Sequence, residues 1–190
     1  MIHQINTIQI VQWYFIFKGI VHRLNTYIAV IVIAKGRNMS NSNKKKGDDF
    51  RDLAMPILEK ELNTILKPEV KISIGEPKIE HAFELANENN SIVIECKNYT
   101  WTKAGNVPRA KISTINEAVL YFSFLDANVR KILCLKKSVH PKRQETLAEY
   151  YTRTYGHLLR DITVYEIEED ENTQKIKKLF PLPKESISHP

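Results

Sequence analysis

The stretch S-I-V-I-E-C-K, residues 91–97, is the sequence feature that most restricts what this chain can fold into. Its three consecutive β-branched residues, 92–94, are typical of a strand that is buried on both faces. The strand then continues directly into Glu95 and Lys97. Because successive side chains of a strand alternate between faces, Glu95 and Lys97 share one face and Cys96 lies on the other. A buried strand that ends this way predicts a polar site at the border of the hydrophobic core.

A second strand and a tight turn precede this one. The segment I-E-H-A-F-E-L-A, residues 79–86, alternates as a strand does, and the Asn-rich run that follows predicts a turn. A two-residue hairpin loop at 89–90 would set Glu84 directly opposite Glu95, with Cβ atoms roughly 4.5–5.5 Å apart. A four-residue loop with a register shifted by two would make the two residues diagonal neighbours on the same face, and an odd loop would separate them.

Two carboxylates that face each other repel unless a cation lies between them. Lys97 on the same face is one candidate for that cation, and a divalent metal ion is the other. The plain alternative is a solvated surface hairpin on which Glu84, Glu95 and Lys97 form salt bridges. The apolar run at 92–94 argues against this alternative, because it predicts a central strand.

The chain from Asp48 onward alternates helical and strand patterns. Apolar residues at helical spacing predict a first helix over 48–66, in which Pro56 is expected to cause a kink or mark a second start. The other predicted elements are strands at 70–74, 79–86 and 91–97, a helix at 109–125, a strand at 130–135, a helix at 143–156 and a last strand at 162–167, followed by a charged turn and a tail. This α-β-β-β-α-β order, with a further helix and strand, predicts an α/β protein with a central mixed sheet flanked by helices.

Residues 1–38 differ from the rest of the chain, because they are rich in Ile, Tyr and Phe and contain no acidic residue. Their polar interruptions leave no apolar run long enough for a membrane span, and the order of a signal peptide is lacking. We expect this segment to be an extension upstream of a true start at Met39; a weak membrane anchor is the alternative. A polar linker at 39–47, a single domain at 48–180 and a flexible tail at 181–190 complete the predicted organisation.

Composition and charge narrow the function classes. The net charge is +6, but from Lys97 to Arg143 ten basic residues stand against two acidic ones, whereas from Asp48 to Glu95 eleven acidic residues stand against five basic ones. An acidic cluster beside a basic stretch suits a metal site next to a polyanion, although a solvated surface gives the same pattern. No phosphate loop, dinucleotide fingerprint or serine-hydrolase motif is present. The two cysteines, Cys96 and Cys134, lie in apolar runs and predict buried thiols in a cytoplasmic protein.

The motif itself is similar to that of a known superfamily. Glu84, ten residues and then Glu95-Cys96-Lys97 resemble the signature of the PD-(D/E)XK nucleases, the restriction-endonuclease-like proteins. The resemblance covers about residues 47–137 and includes the element order. The sequence departs from the family pattern at Glu84, where Asp is usual, and on the first helix, where Arg51 stands in place of an expected Glu and Glu59 is a substitute candidate.

The resemblance implies a metal-dependent nuclease that hydrolyses phosphodiester bonds in DNA. Glu84, Glu95 and the backbone carbonyl of Cys96 would bind Mg²⁺, for which Mn²⁺ can substitute. Lys97 would stabilise the developing charge or help to deprotonate the attacking water, with its pKa lowered near the metal. A catalytically inactive nucleic-acid-binding module of the same fold is the alternative. RNA as a substrate and a homodimer are left open, and no membrane partner is expected.

Further site residues have weaker support from the sequence. Glu117 and Tyr121, one turn apart on the second predicted helix, are accessory candidates. Nucleic-acid contacts are assigned to a set of aromatic and basic side chains: Tyr99, Trp101, Lys103, Lys111, Lys136, Lys137, Lys142 and Arg143. For Trp101 a loop-packing role is an equal alternative. Alternation along the strand puts His81 on the face opposite to Glu84, so we expect His81 to be structural.

Overall fold

The computed structural model describes residues 45–169 and 174–181. The predictions for residues 1–38, for the linker up to residue 44 and for the tail after residue 181 lie outside these residues. The described residues from Lys46 onward belong to one compact unit. Their elements are α1 (residues 45–62), β1 (Leu66–Ile74), β2 (Ile79–Asn87), β3 (Ile92–Lys97), α2 (Arg109–Phe122), β4 (Arg130–Lys136), α3 (Leu147–Leu159), β5 (Thr163–Glu169) and β6 (Gln174–Phe180).

The six strands form one mixed sheet in the order β1-β2-β3-β4-β5-β6. β3, β4 and β5 run parallel, and β1, β2 and β6 are added antiparallel to their neighbours. The two parallel connections contain the helices α2 and α3, as parallel pairing requires. The predicted α/β class with a central mixed sheet is therefore confirmed.

Helices cover both faces of the sheet. On one face α1 packs with Phe50 and Leu58 against the fully buried Ile94 and Ile132. On the other face α2 and α3 form the larger core, which includes Phe122, Tyr151 and Leu133. The alternating apolar residues of β3 and β4 divide between these two cores, because each strand shows successive side chains to opposite faces.

Several boundaries differ from the predicted ones. α1 passes through Pro56 without a second start and ends before Ile65, which is 79% exposed, and Leu66 already belongs to β1. α3 begins later than predicted, because Thr146 caps it: its side chain accepts a hydrogen bond from the amide of Glu149, whose carboxylate accepts from the amide of Thr146.

The strand β6 was not predicted, because no element was assigned between the charged turn after residue 167 and the tail at 181–190. Its apolar residues Ile176, Leu179 and Phe180 lack the alternation of a strand. The pairing with β5 explains this, because the register shifts by one residue between Val164 and Tyr165. The extra residue allows the neighbours Leu179 and Phe180 both to lie against the α2–α3 core, whereas Ile176 lies against the α1 core.

Candidate active site

The register of the β2–β3 hairpin determines which side chains meet. Leu85 pairs with Ile94 and Ala86 with Val93. This is the register that the sequence predicted, and extended by one residue it sets Glu84 opposite Glu95. The two-residue loop was wrong, because the loop spans residues 88–91 with an unchanged register.

The longer loop is stabilised by asparagine side chains. The side-chain oxygen of Asn87 accepts a hydrogen bond from the amide of Ile92 at 2.9 Å, and its amide nitrogen donates to the hydroxyl of Ser91. Asn90 has a φ angle of 55°, a left-handed conformation that Asn tolerates. These local bonds replace the pairing of residue 88 with residue 91, so the strands end at Asn87 and Ile92.

The strand β2 changes face at Glu84. β1 and β2 are paired on both sides of this position, but Glu69 and Glu84 do not pair, and Glu69 has a φ angle of 52°. Phe83 belongs to the α2–α3 core, whereas Leu85, two residues further on, belongs to the α1 core. Strict alternation would put both on one face. The local break therefore turns the Glu84 backbone at the position where its carboxylate faces β3.

The strands β2 and β3 also separate at this point. Their pairing ends at Leu85 and Ile94, while β3 remains paired with β4 as far as Lys97. The separation opens a cavity of about 300 Å³ on the α2 side of the sheet. Glu84, Glu95 and Lys97 all line it, so the structure brings the three motif residues together.

Glu95 and Lys97 form a close ion pair in this cavity. The ammonium of Lys97 donates a hydrogen bond of 2.6 Å to Oε2 of Glu95, whose side chain is only 4% exposed. Burial disfavours the charge on Lys97, but Glu95, with smaller contributions from Tyr99 and Glu84, outweighs it, so the pKa of Lys97 lies above its ordinary value. Lys97 is therefore a cation at neutral pH in the metal-free site. The lowering of its pKa near a bound metal ion stays a prediction.

Glu84 has a different environment. Burial raises the pKa of Glu84, the charge of Glu95 raises it further, and Lys97 and Arg51 offset only part of this. Nη1 of Arg51 on α1 lies 3.8 Å from Oε2 of Glu84, at the position where the family pattern led us to expect an acid. The substitute candidate Glu59 is not in the site, because its carboxylate accepts a hydrogen bond from the amide of Leu66.

The second helix contributes the opposite wall of the cavity. Glu117 and Tyr121 line it, joined by a hydrogen bond of 3.1 Å from the phenol to the carboxylate. Tyr99 lines it too; its hydroxyl is 2.9 Å from that of Thr114, and the ammonium of Lys111 lies 4.8 Å from the centre of its ring. Glu117, Tyr121 and Tyr99 thus line the cavity together with the motif residues, and Lys111 lies beside Tyr99.

His81 also lines this cavity, and its assignment to the other face was wrong. Its Nε2 lies 3.9 Å from Oε1 of Glu95, and its ring stacks on Tyr121 with centres 3.9 Å apart. The alternation argument failed because β2 changes face at Glu84, so residues before and after the break cannot be counted as one series. The sequence of β2 carries no signal for this break.

Trp101 does not present its ring for stacking with bases. The residue is 6% exposed, and its ring contacts those of His140 and Tyr150 edge-on. Its amide donates to the hydroxyl of Ser138, which fixes the loop after β3 to the loop after β4. The loop-packing alternative is therefore confirmed, and the predicted nucleic-acid contact is wrong.

The remaining basic candidates lie outside this cavity. Lys103, Lys142 and Arg143 are exposed in loops, and the ammonium of Lys137 is 2.7 Å from the carboxylate of Glu168. Lys136 is half-buried at the end of β4. Lys136 ends β4, and the other four follow the carboxyl ends of β3 or β4. Because parallel strands end at the same edge of a sheet, all five belong to the edge that carries the site.

Cys96 can contribute only its main chain to the site. Its side chain is buried in the α1 core beside Cys134, its partner on β4. The hydrogen bond with Cys134 and burial raise the pKa of the Cys96 thiol well above its ordinary value. Both cysteines are free and buried, as expected.

The donor set suits a hard divalent cation. Glu84 and Glu95 supply carboxylate oxygens, and Mg²⁺ is commonly held by one or two carboxylates with water and substrate completing the shell. The raised pKa of Glu84 indicates that its charge is not fully compensated by Lys97 and Arg51. Among the residues that the structure describes, however, no three His, Cys, Asp or Glu side chains are grouped as a metal site.

Comparisons with protein-family models, with curated proteins and with solved structures found no match to this chain. In the described ranges no helix has the length and apolar character needed to cross a membrane.

Proposed function

We propose that the chain is a metal-dependent nuclease with a restriction-endonuclease-like core, which hydrolyses phosphodiester bonds in DNA. One observation carries the proposal: β2 breaks its pairing with both neighbours at the position of Glu84, and this break directs Glu84 into an open cavity with Glu95 and Lys97. A purely structural hairpin has no need of such a break. The α-β-β-β-α-β order at the start of the domain and the parallel β3–β4 pair support the same family.

The residues of the cavity have distinct parts in this proposal. Glu84 and Glu95 would hold a divalent cation, which supplies Lewis-acid stabilisation of the phosphate. Lys97, charged at neutral pH, would lie beside the scissile phosphate and stabilise the charge that develops on its oxygens. We assign Lys97 charge stabilisation because its ammonium is held in the cavity by the hydrogen bond of 2.6 Å to Glu95. The phenol of Tyr121 and the carboxylate of Glu117 would orient the attacking water from the α2 wall.

An inactive nucleic-acid-binding module remains a second candidate, and a specific observation favours it. Both carboxylates already have a cationic neighbour, Lys97 for Glu95 at 2.6 Å and Arg51 for Glu84 at 3.8 Å. Because these side chains already compensate the negative charge of the carboxylates, less negative charge is left to attract a metal ion. In such a module the same cavity would bind a strand without cutting it.

The full chain, incubated with single-stranded, duplex and branched DNA in the presence of Mg²⁺ or Mn²⁺, tests the proposal. We expect cleavage that EDTA abolishes. Glu95→Gln and Lys97→Ala should each lower the cleavage rate at least about a hundredfold, since each removes a preorganised charge from the reacting phosphate. DNA affinity measured with EDTA should change only slightly.

Two exposed residues of an ion pair outside the cavity serve as matched controls. Glu80→Gln and Lys71→Ala remove charges of the same kind from β2 and β1, and they should leave cleavage unchanged. DNA binding without cleavage under any condition would support the inactive module instead. Absence of both binding and cleavage would reject both candidates.

A further inference from the structure

A second cavity, of about 490 Å³, lies on the same face of the sheet between the start of α3 and the strands β5 and β6. Its volume falls within the range of roughly 300–1,000 Å³ that is usual for sites of small organic ligands. The carboxylate of Glu166 lies in its wall, and lysines of β6, Lys175 and Lys177, lie at its exposed side. None of these residues was singled out by the sequence.

Glu166 carries an unused hydrogen-bond acceptor. The residue is only 3% exposed, and its Oε2 is buried with no hydrogen-bond partner. The Glu166 carboxylate also has a hydrogen bond with the side chain of Thr146. A buried acceptor without a donor is destabilising, and native proteins satisfy nearly all such groups. A donor supplied by a ligand in the cavity would satisfy it.

The lysines indicate the other end of such a ligand. The ammonium of Lys177 is paired with Glu149 at 2.9 Å but its side chain is 62% exposed, and the exposed Lys175 has no ion pair among the described residues. The cavity therefore offers an acceptor for an N–H group at its base and ammonium groups for an anion at its mouth. A nucleotide carries a partner for each, because it has an amino-bearing base and a phosphate.

The register of the sheet relates this cavity to the candidate active site. Lys97, Leu135, Glu166 and Lys177 follow one another across β3, β4, β5 and β6. Lys97 and Glu166 are two strand spacings apart, or about 10 Å, on the same face. The two cavities are therefore neighbours on one face of the sheet.

We infer that this cavity binds an unstacked base of the nucleic-acid strand that occupies the active site, with the exocyclic amino group of the base donating to Oε2 of Glu166. A carboxylate accepts from such an amino group, as it does from N4 of cytosine, and it repels the carbonyl oxygen that thymine has in the same position. This inference rests on the proposed function for its ligand. It adds a preference for cytosine, adenine or guanine over thymine at one position of the substrate.

The affinity of the full chain for labelled oligo-dC and oligo-dT, measured by fluorescence anisotropy in EDTA, tests the inference. We expect oligo-dC to bind about tenfold more tightly, which is the effect of one well-formed hydrogen bond to a charged group. Glu166→Gln should bring the two affinities within about twofold or reverse their order, because an amide N–H can donate to the thymine carbonyl. Glu80→Gln, at an exposed acid of β2 outside both cavities, is the control and should retain the preference.

An oligomer of N4,N4-dimethylcytosine repeats the test on the unaltered chain, so the outcome does not depend on the folding of the Glu166 variant. This oligomer has no exocyclic N–H and should bind as weakly as oligo-dT. Equal affinities for oligo-dC and oligo-dT, or a preference that survives Glu166→Gln, would overturn the inference. Cleavage with Mg²⁺ is measured in parallel: cleavage without the preference rejects only the inference, and the preference without cleavage rejects only the nuclease.

Discussion

Glu84 and Glu95 face the same cavity but differ in how their charges are compensated. Glu95 is almost fully buried, and the ammonium of Lys97 is in direct contact with it. Glu84 is 30% exposed on its side chain, and Arg51 reaches it only at 3.8 Å while also binding Asp52 and Glu69. We therefore expect Glu95 to be important for the fold as well as for the site, and Glu84 to be important for the site alone.

The substitution Glu84→Gln should make the metal-free chain more stable at pH 7. The pKa of Glu84 is raised by burial and by Glu95, so its contribution to stability is present below the ordinary value of 4.5 and is lost as the pH rises through the folded-state pKa. Relief of the repulsion should be worth roughly 0.2–1 kcal/mol. Urea unfolding in EDTA at pH 4.5 and pH 7 measures this.

The same variant should also lose the stabilisation that Mn²⁺ gives to the unaltered chain by binding the folded state. Glu80→Gln, in an exposed ion pair, is the control and should show neither effect. Two outcomes would contradict the assignment of a metal site. In one, Glu84→Gln lowers the stability of the chain at pH 7. In the other, millimolar Mn²⁺ leaves the melting temperature of the unaltered chain unchanged.

Lys97→Met should destabilise the chain by about 3–5 kcal/mol, because it leaves the buried Glu95 without its partner. The raised pKa of Lys97 means that its stabilising contribution is present at neutral pH and is lost only as the pH rises through the folded-state pKa, above 10.5. The double variant Glu95→Gln, Lys97→Met should recover most of the loss. Urea unfolding of the two single variants and the double variant measures the coupling energy between Glu95 and Lys97. If the changes in the free energy of unfolding are strictly additive, the two side chains do not stabilise each other.

At the scale of the elements, the break in the β1–β2 pairing positions the site. Glu69 on β1 has a φ angle of 52°, a conformation that costs a non-glycine residue of order 1 kcal/mol and a β-branched residue more. Its unpaired neighbour on β2 is Glu84. The left-handed residue on one strand thus accompanies the outward turn of the carboxylate on the other.

Glu69→Gly and Glu69→Val should separate the role of this conformation from the role of the side chain. Glycine adopts positive φ freely, so Glu69→Gly should change stability by less than about 0.5 kcal/mol and retain cleavage. Glu69→Val should cost about 1–3 kcal/mol and reduce cleavage, because it favours a regular strand. Both variants lose the ion pair with Arg51, so the comparison isolates the backbone. Equal behaviour of the two would mean that the break does not depend on Glu69.

The parts of this site that sequence predicts are those fixed by local pairing. The register that sets Glu84 opposite Glu95 was predicted correctly, although the two-residue loop from which it was predicted was wrong. The side of the sheet on which His81 lies could not be predicted, because it depends on a distortion caused by pairing with β1. The strand β6 was not predicted for a similar reason, because a register shift against β5 removes the alternation of its apolar and polar residues. The face on which His81 lies and the alternation of β6 both depend on pairing with a neighbouring strand, and not on the pattern within one strand.

At the scale of the whole molecule, exposed basic residues lie in the loops that follow the carboxyl ends of the parallel strands. The loops after β3 and β4 contain exposed Lys103, Lys142 and Arg143, and the guanidinium of Arg143 lies 5.7 Å from the centre of the Trp101 ring. The candidate active site lies at the same edge. This distribution is suited to a polyanion that crosses the edge of the sheet.

The double variant Lys142→Ala, Arg143→Ala should weaken binding of duplex DNA and lower the slope of log K against log salt by about 1–2, since each lost phosphate contact removes about 0.9. Cleavage at saturating DNA should be unchanged. Lys60→Ala, Lys67→Ala removes the same charge at the opposite edge of the sheet and is the control. An equal fall in slope for both pairs would indicate that only net charge matters.

The separation of β2 from β3 has a consequence for how the molecule opens. Leu85–Ile94 and Ala86–Val93 are the two backbone pairs between these strands, whereas β1 and β2 are paired along nearly their whole length. The sheet is therefore weakest along a line that passes between Glu84 and Glu95. Opening along it would take the site apart while the parallel strands stay folded, as local unfolding does elsewhere. Amide hydrogen exchange should then be faster in β2 than in β4, and a cation that bridges the two carboxylates should slow exchange in β2 first.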